Sequence, residues 1–313
     1  MDFKQLKYFA CIAERGNMTR AAEDLHVAQP ALTKHMANLE AELGVRVFDR
    51  GRNGVRLTSA GDVLYVQAKS LLRHLDDARA AVRDETEHPS GRVVIGMSGS
   101  TSKLVVVPLL RRLAHLQRSW LEIVERPSDE LRSLVAIGAV DIAIVVDAQM
   151  SHGTSILPLL LEDLYVILPH GSAGSQTSLS LRDIVGQPLV LPAAPNTIRQ
   201  HIDAALREAR LDYRLVAESS ASDVLVRMVA AGLGWTILPW AAVGDEVLRG
   251  LLDALPIRGH RLRRELGLCV SDAIPPSRAT EVVRATLLEL VDELVTAGAW
   301  PGVERVPVAA GAH

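Results

Sequence analysis

The chain is poor in aromatic residues: three Phe, four Tyr and four Trp make up 4% of its 313 positions. Proteins that read single-stranded nucleic acid by stacking its bases need aromatic platforms, so that class is disfavoured. Cysteine is scarcer still. Cys11 and Cys269 lie far apart within apolar patterns and read as buried thiols rather than a disulfide or redox pair. No stretch reaches the roughly 18 uninterrupted apolar residues of a membrane helix. Met1-Asp2-Phe3-Lys4 leads straight into an amphipathic helix instead of a secretory leader. The expectation is therefore a cytoplasmic protein with no membrane partner. A cationic surplus is also missing: the net charge is −3, and residues 1–58 carry nine Lys/Arg against seven Asp/Glu. Any nucleic-acid binding must depend on where the cations sit, not on their number.

What is present suits two or three compact units, because 313 residues is long for one core. A hydrophobic content of 48% with 23% charged residues is that of a globular protein. The first organised stretch is Thr19–Lys34, TRAAEDLHVAQPALTK. Ala21, Ala22 and Leu25 form one apolar stripe at helical spacing, and Leu32, Met36, Leu39 and Leu43 form a second. His26-Val27-Ala28 is too short for a strand or linker, so the two helices must cross steeply, which is the outline of a helix-turn-helix. A preceding helix from about Phe3 to Glu14 packs Leu6, Phe9 and Ala10 beneath them. Gln29 and Pro30 open the second helix, where proline costs no intrahelical hydrogen bond. With the apolar stripe inward, Gln29, Thr33, Lys34 and Asn38 face out, offering an amide, a hydroxyl and a cation for base edges or phosphates. A three-helix interaction module with a solvated face is the alternative on these residues alone.

Arg46, Arg50, Arg52 and Arg56 follow, flanking Asn53-Gly54, a dipeptide that suits a two-residue type I′ hairpin. Residues 45–58 thus read as a β-wing whose arginines meet phosphates or the minor groove. Ser59 with Asp62 resembles a capping box. From there to about Glu87, Leu64, Ala68, Leu71, Leu75, Ala78 and Val82 recur at alternating steps of four and three, a coiled-coil seam. Such a helix runs roughly 40 Å. An apolar edge of that length calls for a partner, and self-pairing would present two recognition helices to a two-fold-related site.

His88-Pro89-Ser90-Gly91 ends the helix and marks a boundary. Strand and helix patterns then alternate. Strands are expected at 92–96, 121–124 and 141–146, with helices at 104–116 and 130–137. A second unit, from about 169 to 265, has strands at 188–191, 215–218 and 235–238 and helices at 198–210 and 222–231. That alternation predicts parallel sheets with helices on their faces. Leu164–Leu168 leads into the second unit and Leu266–Ser271 leads back, after which Ala279–Ala297 closes the first as a helix. Two α/β lobes joined by two crossing strands leave a cleft. Trp300–His313, rich in Pro, Gly and Ala, reads as a frayed tail.

Ligands of open α/β sheets sit beyond the carboxyl ends of strands, often at helix N-termini. The loop Met97–Ser102 offers hydroxyls and free N–H groups, and Pro192–Thr197 leads into a helix carrying Arg199. Two such helix starts facing across a cleft would suit a small carboxylate or other anion. Ordinary helix capping by Ser100 or Thr101 and by Asn196 or Thr197 explains the same residues equally well. Enzyme signals are thin. Gly96-Met97-Ser98-Gly99-Ser100 lacks the closing glycine of a nucleophile elbow, and Gly232-Leu233-Gly234 precedes a strand, the wrong context for dinucleotide binding. The ten histidines form no metal-ligand spacing. No catalytic residue, metal or cofactor is expected. A cytoplasmic solute sensor whose helical head only oligomerises is the remaining alternative, and charge reversal at Arg52 and Arg56 discriminates it by sparing ligand binding.

The run Gly16–Arg50 resembles the amino-terminal signature of LysR-type transcriptional regulators. The matching features are Thr19, Ala21-Ala22, Leu25, Gln29-Pro30-Ala31, Leu39-Glu40, Leu43-Gly44, Phe48 and Arg50. Asn17, Thr33 and Val47 depart mildly, standing where the family usually has Ser, Ser and Leu. The resemblance implies a multidomain fold: an N-terminal winged helix-turn-helix over 1–58 and a dimerising linker helix over 59–88. A two-lobed, periplasmic-binding-protein-like α/β effector domain follows over 91–300, with lobe I at 91–165 and 266–300 and lobe II at 166–265. Residues 301–313 remain as a disordered tail. DNA contacts are expected from Thr19, Arg20, Gln29, Pro30, Ala31, Thr33, Lys34, Asn38, Arg50, Arg52 and Arg56. The effector is expected at Ser98, Ser100, Thr101, Ser102, Asn196, Thr197 and Arg199, with Ser219 and Thr236 as additions. The resemblance further implies double-stranded promoter DNA, a homodimer or homotetramer, and RNA polymerase as partners, with effector binding altering DNA bending. Residues 25–31 and 191–199 look closest to the branch that includes nitrogen-assimilation control regulators.

Overall fold

The computed structural model describes residues 1–51, 54–83, 91–115, 119–148 and 153–306. They fall into two compact units, one amino-terminal and one carboxy-terminal.

The first unit opens with α1 (Phe3–Arg15), started by a reciprocal capping box between Asp2 and Gln5 and closed by Gly16 in the left-handed region. Helix α2 (Met18–Asp24) begins at Asn17, whose Oδ1 accepts from the Thr19 and Arg20 amides. Asn and Ser serve this position equally well, so the departure from the family pattern at Asn17 leaves the helix start intact. His26, with φ 54°, turns the corner into α3 (Gln29–Leu43). Phe9, Ile12, Ala21, Leu32, Met36, Leu39 and Phe48 close the core beneath these helices. Leu43, expected inside, is 37% exposed at the end of its helix.

The wing is an antiparallel pair, β1 (Phe48–Gly51) and β2 (Gly54–Leu57), in which Gly51 pairs with Gly54. Arg52 and Asn53, and with them the Asn53-Gly54 turn of the sequence reading, lie outside the described residues. Glu40 on α3 accepts from the Val47 and Phe48 amides, and the Val55 amide donates to Gly16 O, so the hairpin is fixed at both edges. Helix α4 (Ser59–Arg83) starts from Thr58, not from the Ser59–Asp62 box: the Gly61 amide donates to Thr58 Oγ1 at 3.0 Å. Its seam is also divided. Leu64, Ala68 and Leu72 pack on the head core, while Leu71 is exposed. The expectation that no core covers this helix is thus corrected for its first turns. The Val82 side chain and residues 84–90 lie outside the described residues.

The second unit alternates strand and helix through β3 (Gly91–Met97), α5 (Gly99–Arg112), β4 (Ser119–Glu125), α6 (Ser128–Ala136) and β5 (Ile142–Val146). It continues with β6 (Thr154–Pro169), β7 (Leu179–Ser180), α7 (Leu181–Val185), β8 (Leu189–Pro192), α8 (Thr197–Glu208), β9 (Leu215–Ser219), α9 (Ser222–Ala230) and β10 (Thr236–Pro239). Then come α10 (Gly244–Leu248), β11 (Leu252–Arg258), β12 (Arg263–Ser271), α11 (Arg278–Thr296) and β13 (Val303–Arg305). Strand β3 runs parallel to β4 and β5, and β8 runs parallel to β9 and, through Leu189–Trp235, to the start of β10. In lobe I the sheet is covered on both faces: Val93, Ile95, Met97, Val105 and Leu287 fill one side, and Val94, Leu131, Val135 and Val145 the other. Lobe II has its own core around Ile167, Val190, Ile202, Val226 and Ile237.

The connection between the lobes is built from longer strands than the sequence suggested. β6 spans 16 residues, roughly 50 Å of extended chain. Its first half pairs with β12 in lobe I, and its last residues pair with β10 and β11 in lobe II. The strand β11 had no counterpart in the sequence reading. The tail is also corrected. Trp300 is 2% exposed within the lobe I core, and β13 pairs with β6. A buried indole and a paired strand outweigh the Pro/Gly/Ala composition, so only residues 307–313 of the expected tail lie outside the described residues.

Candidate functional site

Two groups of residues carry chemistry, one in each unit. In the first, Leu32, Met36 and Leu39 anchor α3 in the core, which leaves Gln29, Pro30, Ala31, Lys34 and Asn38 exposed along its other side. Thr19 and Arg20 are exposed at the start of α2, and Arg56 is exposed on β2. Thr33 is half-buried, and its hydroxyl is already engaged. It donates to the Gln29 carbonyl at 3.1 Å and accepts from Gln29 Nε2 at 3.2 Å. The Gln29 amide keeps its oxygen and one N–H for an outside partner while this contact holds. Arg50 lies on β1, while its side chain and all of Arg52 lie outside the described residues.

In the second unit the Ser98–Ser102 segment forms the start of α5, at the carboxyl end of β3. Ser98 Oγ lies 3.2 Å from Ser100 Oγ and 3.1 Å from Thr101 Oγ1. Ser102 donates to the Gly99 carbonyl and to Glu125 at the end of β4. No side chain caps α5, so its first-turn amides stay available to a ligand. Ser100, Thr101 and Ser102 are all buried.

Arg264 in β12 was missed in the sequence and lies next to this loop. Its Nη2 reaches Ser100 Oγ at 3.1 Å, while its Nε donates to Glu162 Oε2 at 2.6 Å. Glu162 is its cross-strand neighbour on β6 and also accepts from Trp300 Nε1 at 2.8 Å. The Glu162 and Arg264 side chains are 0% and 2% exposed. This buried ion pair sits where β6 and β12 pass from lobe I to lobe II.

Two further contacts cross between the lobes. Lys103 on α5 donates to the Ala242 carbonyl at 3.1 Å and to Glu246 at 2.8 Å, with Asp223 at 3.3 Å. Burial opposes its charge, yet Glu246 and Asp223 hold its pKa above that of an ordinary lysine. On α8, His201 Nε2 lies 2.9 Å from Asp147 Oδ2 at the end of β5.

The lobe II predictions fare differently. Asn196 caps α8 by accepting from the Ile198 amide, and Thr197 is its first residue. Arg199 does not present a free cation. It pairs with Asp203, contacts Glu218, donates to Tyr213 Oη at 3.0 Å and to the Pro192 carbonyl at 3.2 Å. Its guanidinium is thus engaged within lobe II itself. Ser219 closes a local turn with Ala221. Thr236 begins β10, at the end remote from the Trp240–Ala242 turn that receives Lys103. It is fully buried, and its hydroxyl finds no hydrogen-bond partner among the described residues. Ser222, just past the Ser219 turn, places its Oγ 3.9 Å from where a Cβ on Gly99 of the Ser98–Ser102 loop would stand. Among the described residues there is no group of three or more His, Cys, Asp or Glu that would hold a metal, and no helix is long and apolar enough to cross a membrane.

Comparison with known proteins bears on both groups. Residues 3–62 match the bacterial regulatory helix-turn-helix protein, lysR family, and residues 86–292 match the LysR substrate binding domain. The nitrogen assimilation regulatory protein nac of Escherichia coli is 32% identical over 299 residues, covering 94% of this chain and 97% of its own. Its counterpart in Klebsiella aerogenes is 29% identical, covering 93% and 95%. Among solved structures, full-length CbnR complexed with its target DNA superposes with a TM-score of 0.69 at 25% identity, covering 94% of this chain and 99% of that one. A full-length OxyR variant from Pseudomonas aeruginosa shares the fold, with a TM-score of 0.69 at 24% identity and 99% of both chains covered.

Proposed function

The chain belongs to the LysR family of transcriptional regulators, and on that premise we propose how its residues divide the work. It is a DNA-binding regulator with an effector-binding domain, related to the nitrogen-assimilation regulators. The observation that carries the residue assignment is the exposed row Gln29, Pro30, Ala31, Lys34 and Asn38 on a helix whose opposite side is fully buried. Gln29 and Asn38 supply amides for base edges, Lys34 a cation for phosphate or guanine, and Thr19 and Arg20 phosphate contacts from the neighbouring helix start. Arg50, Arg52 and Arg56 of the wing complete the interface. Thr33 takes part after releasing Gln29.

The effector enters the cleft between the lobes. A small carboxylate or other anion docks on the open amides of α5 with the Ser98, Ser100, Thr101 and Ser102 hydroxyls around it. Asn196 and Thr197 border the site from lobe II. The protein works as a homodimer or homotetramer in the cytoplasm, bound to promoter DNA and acting on RNA polymerase. It acts as a regulator rather than an enzyme, a reading supported by its family and by the Ser98 hydroxyl, which lies beside the Ser100 and Thr101 hydroxyls.

Gel-shift binding to the intergenic DNA upstream of its own gene, run over a salt series, tests the reading. Sequence-selective binding that weakens steeply with salt supports it. Binding no better than to random duplex, with and without a panel of small carboxylates, overturns it.

A further inference from the structure

We propose that His201 and Asp147 form a protonation-sensitive latch between the two lobes, so that lobe closure responds to pH. Each half of the contact is rigid within its own lobe. Asp147 closes β5 with φ 47°, its amide donates to the Glu265 carbonyl, and its Oδ1 accepts from the Glu265 amide, both at 2.8 Å. That leaves Oδ2 directed at His201 Nε2, 2.9 Å away. His201 is carried by α8, which is held in the lobe II core by Ile198 and Ile202. Parting the lobes breaks this contact without disturbing either anchor.

Two charged groups act on the ring. Asp147 favours the imidazolium through its hydrogen bond and its charge, while partial burial and Arg264 oppose it. Glu162 neutralises Arg264 at close range. The balance raises the His201 pKa above the ordinary histidine value. The Lys103 tie has its pKa raised from an already alkaline value and keeps its charge throughout the physiological range. Of these two ties, the histidine one is switchable there.

The sign follows from linkage. The closed form holds its proton more tightly than the open form, in which His201 titrates as an ordinary imidazole. The latch contributes fully below the ordinary histidine pKa and is lost as pH rises through the raised one. Each pH unit between the two midpoints is worth a factor of about ten in the closed-to-open ratio. This device acts on the lobes whatever ligand the cleft takes.

The test uses the full chain. The imidazole protons are followed by NMR from pH 5.5 to 8.5, with His201 assigned from the signal missing in His201→Gln. Backbone hydrogen exchange, corrected for its intrinsic pH dependence, is measured for segments 141–148 and 197–208. The expected result is a His201 midpoint above the other histidines that falls to the ordinary value in Asp147→Asn. Protection of both segments should decline as pH crosses the wild-type midpoint and lose that pH dependence in both variants. A raised midpoint with protection that does not follow it would make the pair a static contact and overturn the latch. An ordinary midpoint in the wild type would overturn it as well.

Discussion

The buried pair Glu162–Arg264 offers the most decisive perturbation in the effector-binding unit. Replacing Glu162 by alanine strands a guanidinium whose side chain is 2% exposed and removes the acceptor of Trp300 Nε1. Ser100 is then the only hydrogen-bond partner shown for the Arg264 side chain, and a neutral hydroxyl cannot offset a buried charge. Breaking one half of a buried ion pair costs about 3–5 kcal/mol. For a unit of this size each kcal/mol lowers Tm by about 2–4 °C, so the transition of this unit should fall by roughly 10 °C. Replacing both members, Glu162→Leu with Arg264→Met, removes the desolvation penalty together with the pair, and such replacements are often neutral. Trp300 and Ser100 still lose partners, at about 1–3 kcal/mol for each buried group left unmade. The double variant should therefore be more stable than Glu162→Ala and well above the sum of the two single losses. Scanning calorimetry of the full chain, of Glu162→Leu and Arg264→Met singly, and of the double variant gives the coupling directly. If the losses are additive, the two side chains do not act as one buried unit, and the reasoning fails.

Other consequences are as concrete. Lys34→Ala should weaken DNA binding, and if Lys34 meets a phosphate the salt slope should drop by about one; anisotropy titrations at several salt concentrations read both. A Cβ at Gly54 would lie 2.5 Å from Gly16 O, at a φ of +114°. Gly54→Ala should therefore cost more than about 1 kcal/mol and loosen the wing, seen as lower head stability and weaker DNA affinity. At Gly61 a Cβ would lie 2.1 Å from Val47 O, so Gly61→Ala should destabilise the start of α4, although alanine favours helix. Burial raises the thiol pKa of both cysteines, but Cys269 is buried while Cys11, expected buried, is only partly so. A thiol reagent near neutral pH should therefore modify Cys11 slowly and Cys269 only once the chain unfolds.

The head was legible because its signals are local. One helix carries both its core stripe, Leu32, Met36 and Leu39, and its exposed face, so period alone separates them. The errors there come from contacts that period does not carry. Thr58 takes the cap from Ser59 because its hydroxyl is held by the Arg46 carbonyl at 2.7 Å while accepting from Gly61. The register of the wing is set by the pairing of Phe48 with Leu57 across the two strands. The sequence leaves the coiled-coil seam of α4 free because it does not show that α1 packs against this helix and draws Leu64 and Ala68 into the head core.

The cleft was legible only in outline, and the reason is the same one turned around. The hydroxyl loop after β3 stood out because it is contiguous, whereas the groups that decide its charge come from distant segments. Arg264 pairs with a residue 102 positions away, Trp300 reaches one 138 away, and Lys103 reaches one 143 away. Arg199 shows how such partners change a residue's meaning. Asp203 at i+4 was a visible warning in the sequence. Tyr213 and Glu218 arrive only through the pairing of β8 with β9. Lys103, Arg199 and Arg264 each stand beside a carboxylate of their own fold. On the proposed reading, an anionic effector is held by amides and hydroxyls at α5, without one of these cations to itself. Recognition of that kind depends on orientation more than on charge, so its affinity should change little with salt where DNA binding by the head changes steeply.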